Sequence, residues 1–271
     1  MSPRSGGREP TAVRYRATVE YDGTDFAGFQ VQRPGVRTVQ GELEAALARL
    51  SDGVRRPVDG AGRTDAGVHA AGQVIAFTYA GRLDAPALES ALNGQLPPDI
   101  AVRGVRRVPR EFHPRHAARY REYRYTVWNG PRSPLRERHA LGVRVPLDVA
   151  AMERAGQALI GQHDFSAFGA VVEDRSPVRT VHAVRVRRRG STVTIDVRAD
   201  AFLRGMVRRI VAVLLEVGRG TMTERQVREA LAARTPARNG AMAPANGLSL
   251  RRVAIGRSSN GTRATETTRE A

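Results

Sequence analysis

The chain contains no cysteine in its 271 residues. That excludes disulfide staples, zinc–thiolate sites, iron–sulfur clusters and a cysteine nucleophile, and it fits a reducing compartment. Lysine is missing as well: all 44 basic residues are arginine. The longest apolar run, Ile210–Leu215, falls far short of the ~20 residues that cross a bilayer. The opening MSPRSGGREP is polar and lacks the apolar core of a secretory signal, so a soluble cytoplasmic protein is expected. The common ligand signatures are absent too. There is no GxxxxGKS/T loop, no GxGxxG opening a helix and no GxSxG elbow, and His113, His116 and His139 lack the spacing of a helical metal motif.

What is present is positive charge. The 44 arginines stand against 27 acidic residues, for a net charge of +17. So large an excess makes the compact state repel itself and calls for an anionic partner. Arginine grips phosphate through two parallel N–H groups and stacks on bases, which makes nucleic acid the first candidate. A membrane surface fits less well, because no long basic amphipathic helix stands beside a wide apolar face.

Strand and helix signals interleave along the chain, and 41% hydrophobic content is ample for a core. Strands are expected at Arg14–Tyr21, Gln73–Tyr79, Ile100–Val108 and Tyr120–Trp128, with helices at Thr38–Leu50 (capped by Thr38) and Ala85–Asn93. After the NGPRSPL connector the pattern starts over. Helices are expected at Asp148–Ile160, Phe202–Val217 and Thr223–Ala233, and strands at Thr180–Arg188, Thr192–Arg198 and Leu248–Ile255. Two successive blocks of this kind predict an α+β protein of two similar lobes: 11–110 and 111–256, with disordered tails at 1–10 and 257–271. An internal echo, Asp25-Phe26-Ala27-Gly28-Phe29 against Asp164-Phe165-Ser166-Ala167-Phe168, is consistent with duplication.

The densest group of chemically able residues is the segment Gly60–Ala70, GAGRTDAGVHA. Its glycines allow the backbone to turn sharply or approach a ligand closely. Read alone, Asp65 is either a reactive carboxylate or a turn cap. His69 reads as structural, Asp25 and Asp164 as turn caps, and Asp22 as a hairpin-turn residue.

GRTDAGVHA, together with YDGTDFAGFQVQ, RTVQGELEAAL, YREYRY, HDFSAF, SPVRT, FLRGMVRRI and PANGL in that family's order, resembles the tRNA pseudouridine synthase A family over nearly the whole chain. The resemblance implies one continuous, mostly antiparallel sheet with helices on one face and a basic cleft between the lobes. It implies conversion of uridine to pseudouridine at positions 38–40 of the tRNA anticodon stem-loop, by a homodimer, without cofactor or metal. The family's catalytic aspartate falls on Asp65, its active-site tyrosine on Tyr123, and the arginine partner of the aspartate on Arg208, with Arg209 the alternative. Two positions depart from the family pattern: Phe29 stands where Trp is usual and Arg209 where Asn is common.

Breaking a glycosidic bond develops positive charge on the sugar, which an ionised carboxylate stabilises or captures. Asp65 would therefore sit shielded from water and be kept anionic by a guanidinium. Tyr123 would stack on the freed uracil and its hydroxyl would take the C5 proton, with Tyr125 on the same strand face as a rival. Arg63 and Thr64 are expected to bind substrate, Arg63 through a phosphate or by filling the place of the flipped base. Arg55, Arg56, Arg106, Arg107, Arg110, Arg115, Arg119 and Arg121 are expected to line the RNA surface. Two other readings remain at this point: an inert RNA-binding protein on the same scaffold, and a nucleosidase, which would need a second acid.

Overall fold

The computed structural model describes residues 12–171, 176–234 and 241–256; the expected tails lie outside the described residues. Ten strands form one sheet. The first half supplies β1 (Val13–Tyr21), β2 (Val58–Gly60), β3 (His69–Tyr79) and β4 (Ile100–Arg107), with helices α1 (Val39–Arg49) and α2 (Ala85–Gln95). The second supplies β5 (Ala118–Asn129), β6 (Leu141–Val143), β7 (Gly161–Asp164), β8 (Val178–Arg189), β9 (Thr192–Ala199) and β10 (Leu248–Ile255). Its main helices are α5 (Val149–Gln157), α6 (Met206–Gly218) and α7 (Glu224–Ala233), preceded by the single turns α3 (Pro114–Ala117) and α4 (Pro134–Glu137).

The strand order is β4-β1-β3-β10-β5-β9-β8-β7, and every neighbouring pair is antiparallel except the short β10–β3 contact. β10, last in sequence, is therefore the seam between the halves. It lies beside β3, which follows the Asp65 loop, and beside β5, which carries Tyr123.

Register explains the layering. Tyr15, Ala17 and Val19 lie opposite Phe77, Ile75 and Gln73, all buried. Tyr123, Tyr125 and Val127 lie opposite Val197, Ile195 and Val193, also buried. Strand periodicity of two puts each set on one face, where the helices cover it. On the other face of β5, β8 and β9 stand Glu122, Arg124, Arg185, Arg187, Asp196 and Arg198, with Arg124 held bidentately by Asp196 at 2.7 and 3.0 Å. Thr38 caps α1 through Gly41, and Thr223 forms a full capping box with Gln226 on α7, as their spacing predicts.

One helix start departs from expectation. The apolar run suggests a helix from Phe202, but α6 begins at Met206 because Gly205 sits at φ +73°. A left-handed residue ends helical continuity. Phe202–Arg204 is thereby released from the helix, and Phe202 turns its ring edge-on to Tyr123, 5.2 Å between centroids.

Candidate active site

The Asp65 loop leaves β2 at Gly60 and rejoins the sheet at His69. It is bonded along its length. The Gln73 side chain closes on Gly62 from both sides, accepting from its N–H at 3.3 Å and donating to its carbonyl at 2.9 Å. The Thr64 hydroxyl lies 2.8 Å from that of Tyr21, both buried, and the Thr64 carbonyl accepts from Phe29 N–H at 3.1 Å. Val68 N–H closes a turn onto the Asp65 carbonyl, with Gly67 at φ +74°, a conformation few side-chain-bearing residues adopt. Gly67 N–H in turn donates to Phe26. Gly28 lies so close beneath that a Cβ there would come within 2.8 Å of the Thr64 carbonyl oxygen.

Asp65 thus projects from an immobilised turn, and across from it stands Arg208. Arg208 Nη1 is 3.7 Å from Asp65 Oδ2, although 143 residues separate them in the chain. The guanidinium is held from behind by its Nε, which donates to Ala243 O at 2.7 Å, while Ala243 N–H donates to Arg208 O. A half-exposed pair of this kind stabilises a fold by about 1 kcal/mol at most, so its consequence is orientation. Arg209, the alternative partner, directs Nη1 to the carbonyl of Arg204.

The Asp65 side chain is 37% exposed, more open than the shielded carboxylate expected from sequence. A groove of about 560 Å³ between α5 and β8, lined by Gln157, His182 and Arg185, shares no residue with the Asp65 loop. The carboxylate is thus partly open to solvent.

Tyr123 is buried, its hydroxyl beside Gly62 and its ring against Phe202. Burial pushes its hydroxyl up to about 12, with Asp65 adding to the rise and Arg121 opposing it. It is a neutral phenol at physiological pH. Tyr125 points the same way, but its hydroxyl donates to Pro244 O at 2.9 Å and its ring lies in the core. Arg63 is exposed, with no polar protein partner among the described residues. Thr64, expected to touch substrate, spends its hydroxyl on Tyr21 and anchors the loop instead.

His69 is buried at the loop's far end, Nδ1 accepting from Gly23 N–H at 3.0 Å and Nε2 beside Asn246 O at 3.1 Å. Burial lowers its affinity for a proton. A neutral ring carries its hydrogen on Nε2 and leaves Asp22 Oδ1 in contact with Nδ1 at 3.1 Å; protonation of the ring in acid turns that contact into an ion pair. Asp22, His69 and His139 bring three donor atoms within 4.8 Å. Gly23 already engages His69 Nδ1, and Thr24 and Arg138 engage the two Asp22 oxygens, so two of the three groups are committed to protein partners. Asp22 and Asp164 cap Thr24 and Ser166 as their turn roles predict.

Of the arginines expected on the RNA surface, Arg106, Arg107, Arg110, Arg115 and Arg119 are exposed, and Arg55 pairs with Glu44. Arg121 departs from that expectation. It lies on the Tyr123 face of β5 and points into the protein, where it bonds backbone carbonyls. Phe202, which sequence reasoning placed only in a helix, also joins the site; the Gly205 after it was the available signal.

Comparison with known proteins converges on one family. A family model described as tRNA pseudouridine synthase matches residues 17–116 and 155–254, two stretches that each begin shortly before one copy of the Asp-Phe echo. The chain is 46% identical over 241 residues to a tRNA pseudouridine synthase A of Brevibacillus brevis, covering 88% of this chain and 97% of that protein. It is 45% identical to the protein of the same name from Halalkalibacterium halodurans (85% and 88% covered) and from Pectobacterium atrosepticum (89% and 86% covered).

Proposed function

The chain belongs to the tRNA pseudouridine synthase family, isomerases that act on tRNA, and from that premise we propose that it converts uridine to pseudouridine at positions 38–40 of the anticodon stem-loop, with Asp65 as the catalytic carboxylate. The observation that carries this reading is the meeting of Asp65 and Arg208 at 3.7 Å, from opposite halves of the chain, close enough to Tyr123 for the Asp65 charge to act on its hydroxyl.

A stem uridine reaches Asp65 only if it is flipped out, at a cost of a few kcal/mol offset by phosphate contacts to surrounding arginines. Asp65 then lies against C1′, stabilising the cationic sugar or bonding to it as the C1′–N1 bond breaks. The uracil turns, C5 bonds to C1′, the C5 proton leaves and N1 gains one; nothing is added or lost overall. Arg208 aims the carboxylate. Tyr123 and Phe202 form an aromatic corner against which the detached base turns. A neutral phenol accepts the C5 proton only while passing on its own, so stacking is the better-supported role for Tyr123. Arg63, exposed and without a polar partner among the described residues, serves a phosphate or the vacated place in the stack. The proposal includes a homodimer working in the cytoplasm on tRNA, with no cofactor.

The test is tritium release from an anticodon stem-loop transcript labelled at uridine C5. Asp65→Asn should lower release at least 1,000-fold, with RNA affinity within about twofold of the parent. An unmodified protein that binds RNA and releases no tritium would instead be an inert binder, and loss of affinity together with activity in the variant would make Asp65 structural.

A further inference from the structure

We infer that Arg121 is a positioning residue for the isomerisation, stapling the backbone beneath the Asp65 loop to the wall that holds Tyr123 and Phe202. This rests on the reading of Asp65 and Tyr123 given above.

Arg121 precedes Tyr123 by two residues on β5, so both side chains leave the same face. Its guanidinium spans three segments. Nε and Nη2 donate to the carbonyl of Ala61 at 3.2 and 2.8 Å, Nη1 to that of Asp200 at 2.7 Å, and Nη2 also to that of Arg115 at 3.0 Å. Ala61 is 1% exposed and opens the loop that ends in Asp65; Asp200 opens the turn that carries Phe202. No carboxylate comes within ion-pair distance of Arg121 among the described residues. Burial penalises this cation, and its direct partners are carbonyl dipoles, with the Asp200 charge acting on it only at longer range. What the arrangement supplies is geometry: a rigid planar fork whose donors point in fixed directions at several acceptors.

The fastenings to Tyr21, Phe26, Phe29 and Gln73 come from the first half of the chain and fix the loop's shape. The second half meets the loop at Asp65, through Arg208, and at its far end, through Asn246 O beside His69. The fork on Ala61 adds a tie at the loop's entry, to the strand that carries Tyr123, and reaction rates respond to such placement by about 100-fold per ångström.

A surface role and a positioning role predict opposite results. If Arg121 met RNA phosphate, its loss would weaken binding and flatten the salt dependence. As a positioning residue, its loss slows the chemical step and leaves binding alone. The experiment compares Arg121→Met and Arg121→Lys in the full chain, by single-turnover tritium release, stem-loop affinity at two salt concentrations, and thermal unfolding. The Met variant should release tritium about 100-fold more slowly, with affinity within twofold and an unaltered salt slope. The Lys variant keeps the charge without the fork, so it should fold like the parent and remain at least about tenfold slow. Weakened binding with a flatter salt slope, full recovery by Lys, or parental rates in both variants would each overturn the inference while leaving the function intact. An unmodified protein that releases no tritium overturns the function and this inference together.

Discussion

The same five-residue pattern occurs twice, and the two copies support different things. Asp25–Phe29 lies beneath the Asp65 loop: Phe26 O receives Gly67 N–H, Phe29 N–H reaches Thr64 O, and both rings are buried. Asp164–Phe168 leads into the segment beside the turn that opens α6. Ala170 N–H reaches Arg204 O, a Cβ on Gly169 would collide with Leu203, and Phe165 and Phe168 are again buried. One copy steadies the backbone that presents Asp65, and the other steadies the backbone that leads to Arg208. The two charges that meet at 3.7 Å are thus each held by a version of one device, at the seam where β10 joins the halves. The two braces share one pattern while the residues they brace differ.

Deleting the rings is the severest way to break that comparison. Phe29→Ala and Phe168→Ala each remove an aromatic side chain that is no more than 2% exposed, and each should cost about 3–5 kcal/mol in chemical denaturation. Activity should separate them. Phe29 packs against Gly60 at the base of the Asp65 loop, so its loss should also lower the turnover of the folded fraction about tenfold or more. Phe168 lies beside Phe165, one step further from Arg208, and its loss should cost stability with turnover within about threefold. Equal turnover losses in the two variants would mean that neither copy is specialised.

The glycines sharpen the contrast on a smaller scale. Gly28 has φ +109° and presses on backbone, whereas Gly169 has φ −151° and presses on the Leu203 side chain. Gly28→Ala should cost about 2–3 kcal/mol, because strain and the clash with Thr64 O act together. Gly169→Ala should cost less, about 1–2 kcal/mol, since its extended φ adds no strain, although the clash with Leu203 Cβ must be relieved by a backbone shift. Denaturation midpoints of the two variants check the order, and a costlier Gly169 variant would reverse it.

Much of this was legible beforehand, for physical reasons. Helices with a capping residue and an apolar stripe announce themselves, as α1 and α7 do through Thr38 and Thr223. The β8–β9 hairpin was marked by Arg189-Gly190, where Gly190 takes φ +57°. β2, β6 and β7, of three or four residues each, are too short to show a period and went unread. The Asp65 loop stood out because glycine, arginine and aspartate crowd together there. Arg121 was hidden by composition: in a chain with 44 arginines, one that turns inward looks like the rest until its strand register places it on the Tyr123 face.

The smallest effect comes from acid, and it touches one brace only. Burial acts to raise the Asp22 carboxyl, but hydrogen bonds from Thr24 and the nearby His69 and His139 outweigh it and hold the group at about 2, against an ordinary 3.8. A carboxyl depressed by folding stabilises the native state above its unfolded value and loses that contribution as pH falls through its folded one. The window therefore runs from about pH 4 down to about pH 2, and the contribution, for a group open to solvent on one side, is about 1 kcal/mol. Asp22 sits at the end of β1 against His69, the far anchor of the Asp65 loop. The second copy has no counterpart of this contact, since the position three residues before Asp164, which matches Asp22 before Asp25, is Gly161. Thermal unfolding of the parent and Asp22→Asn should differ by a constant amount above about pH 5 and converge as pH approaches 2. A difference that persists at low pH would show that Asp22 acts through its hydrogen bonds to Thr24, which Asn retains in part, and not through its charge.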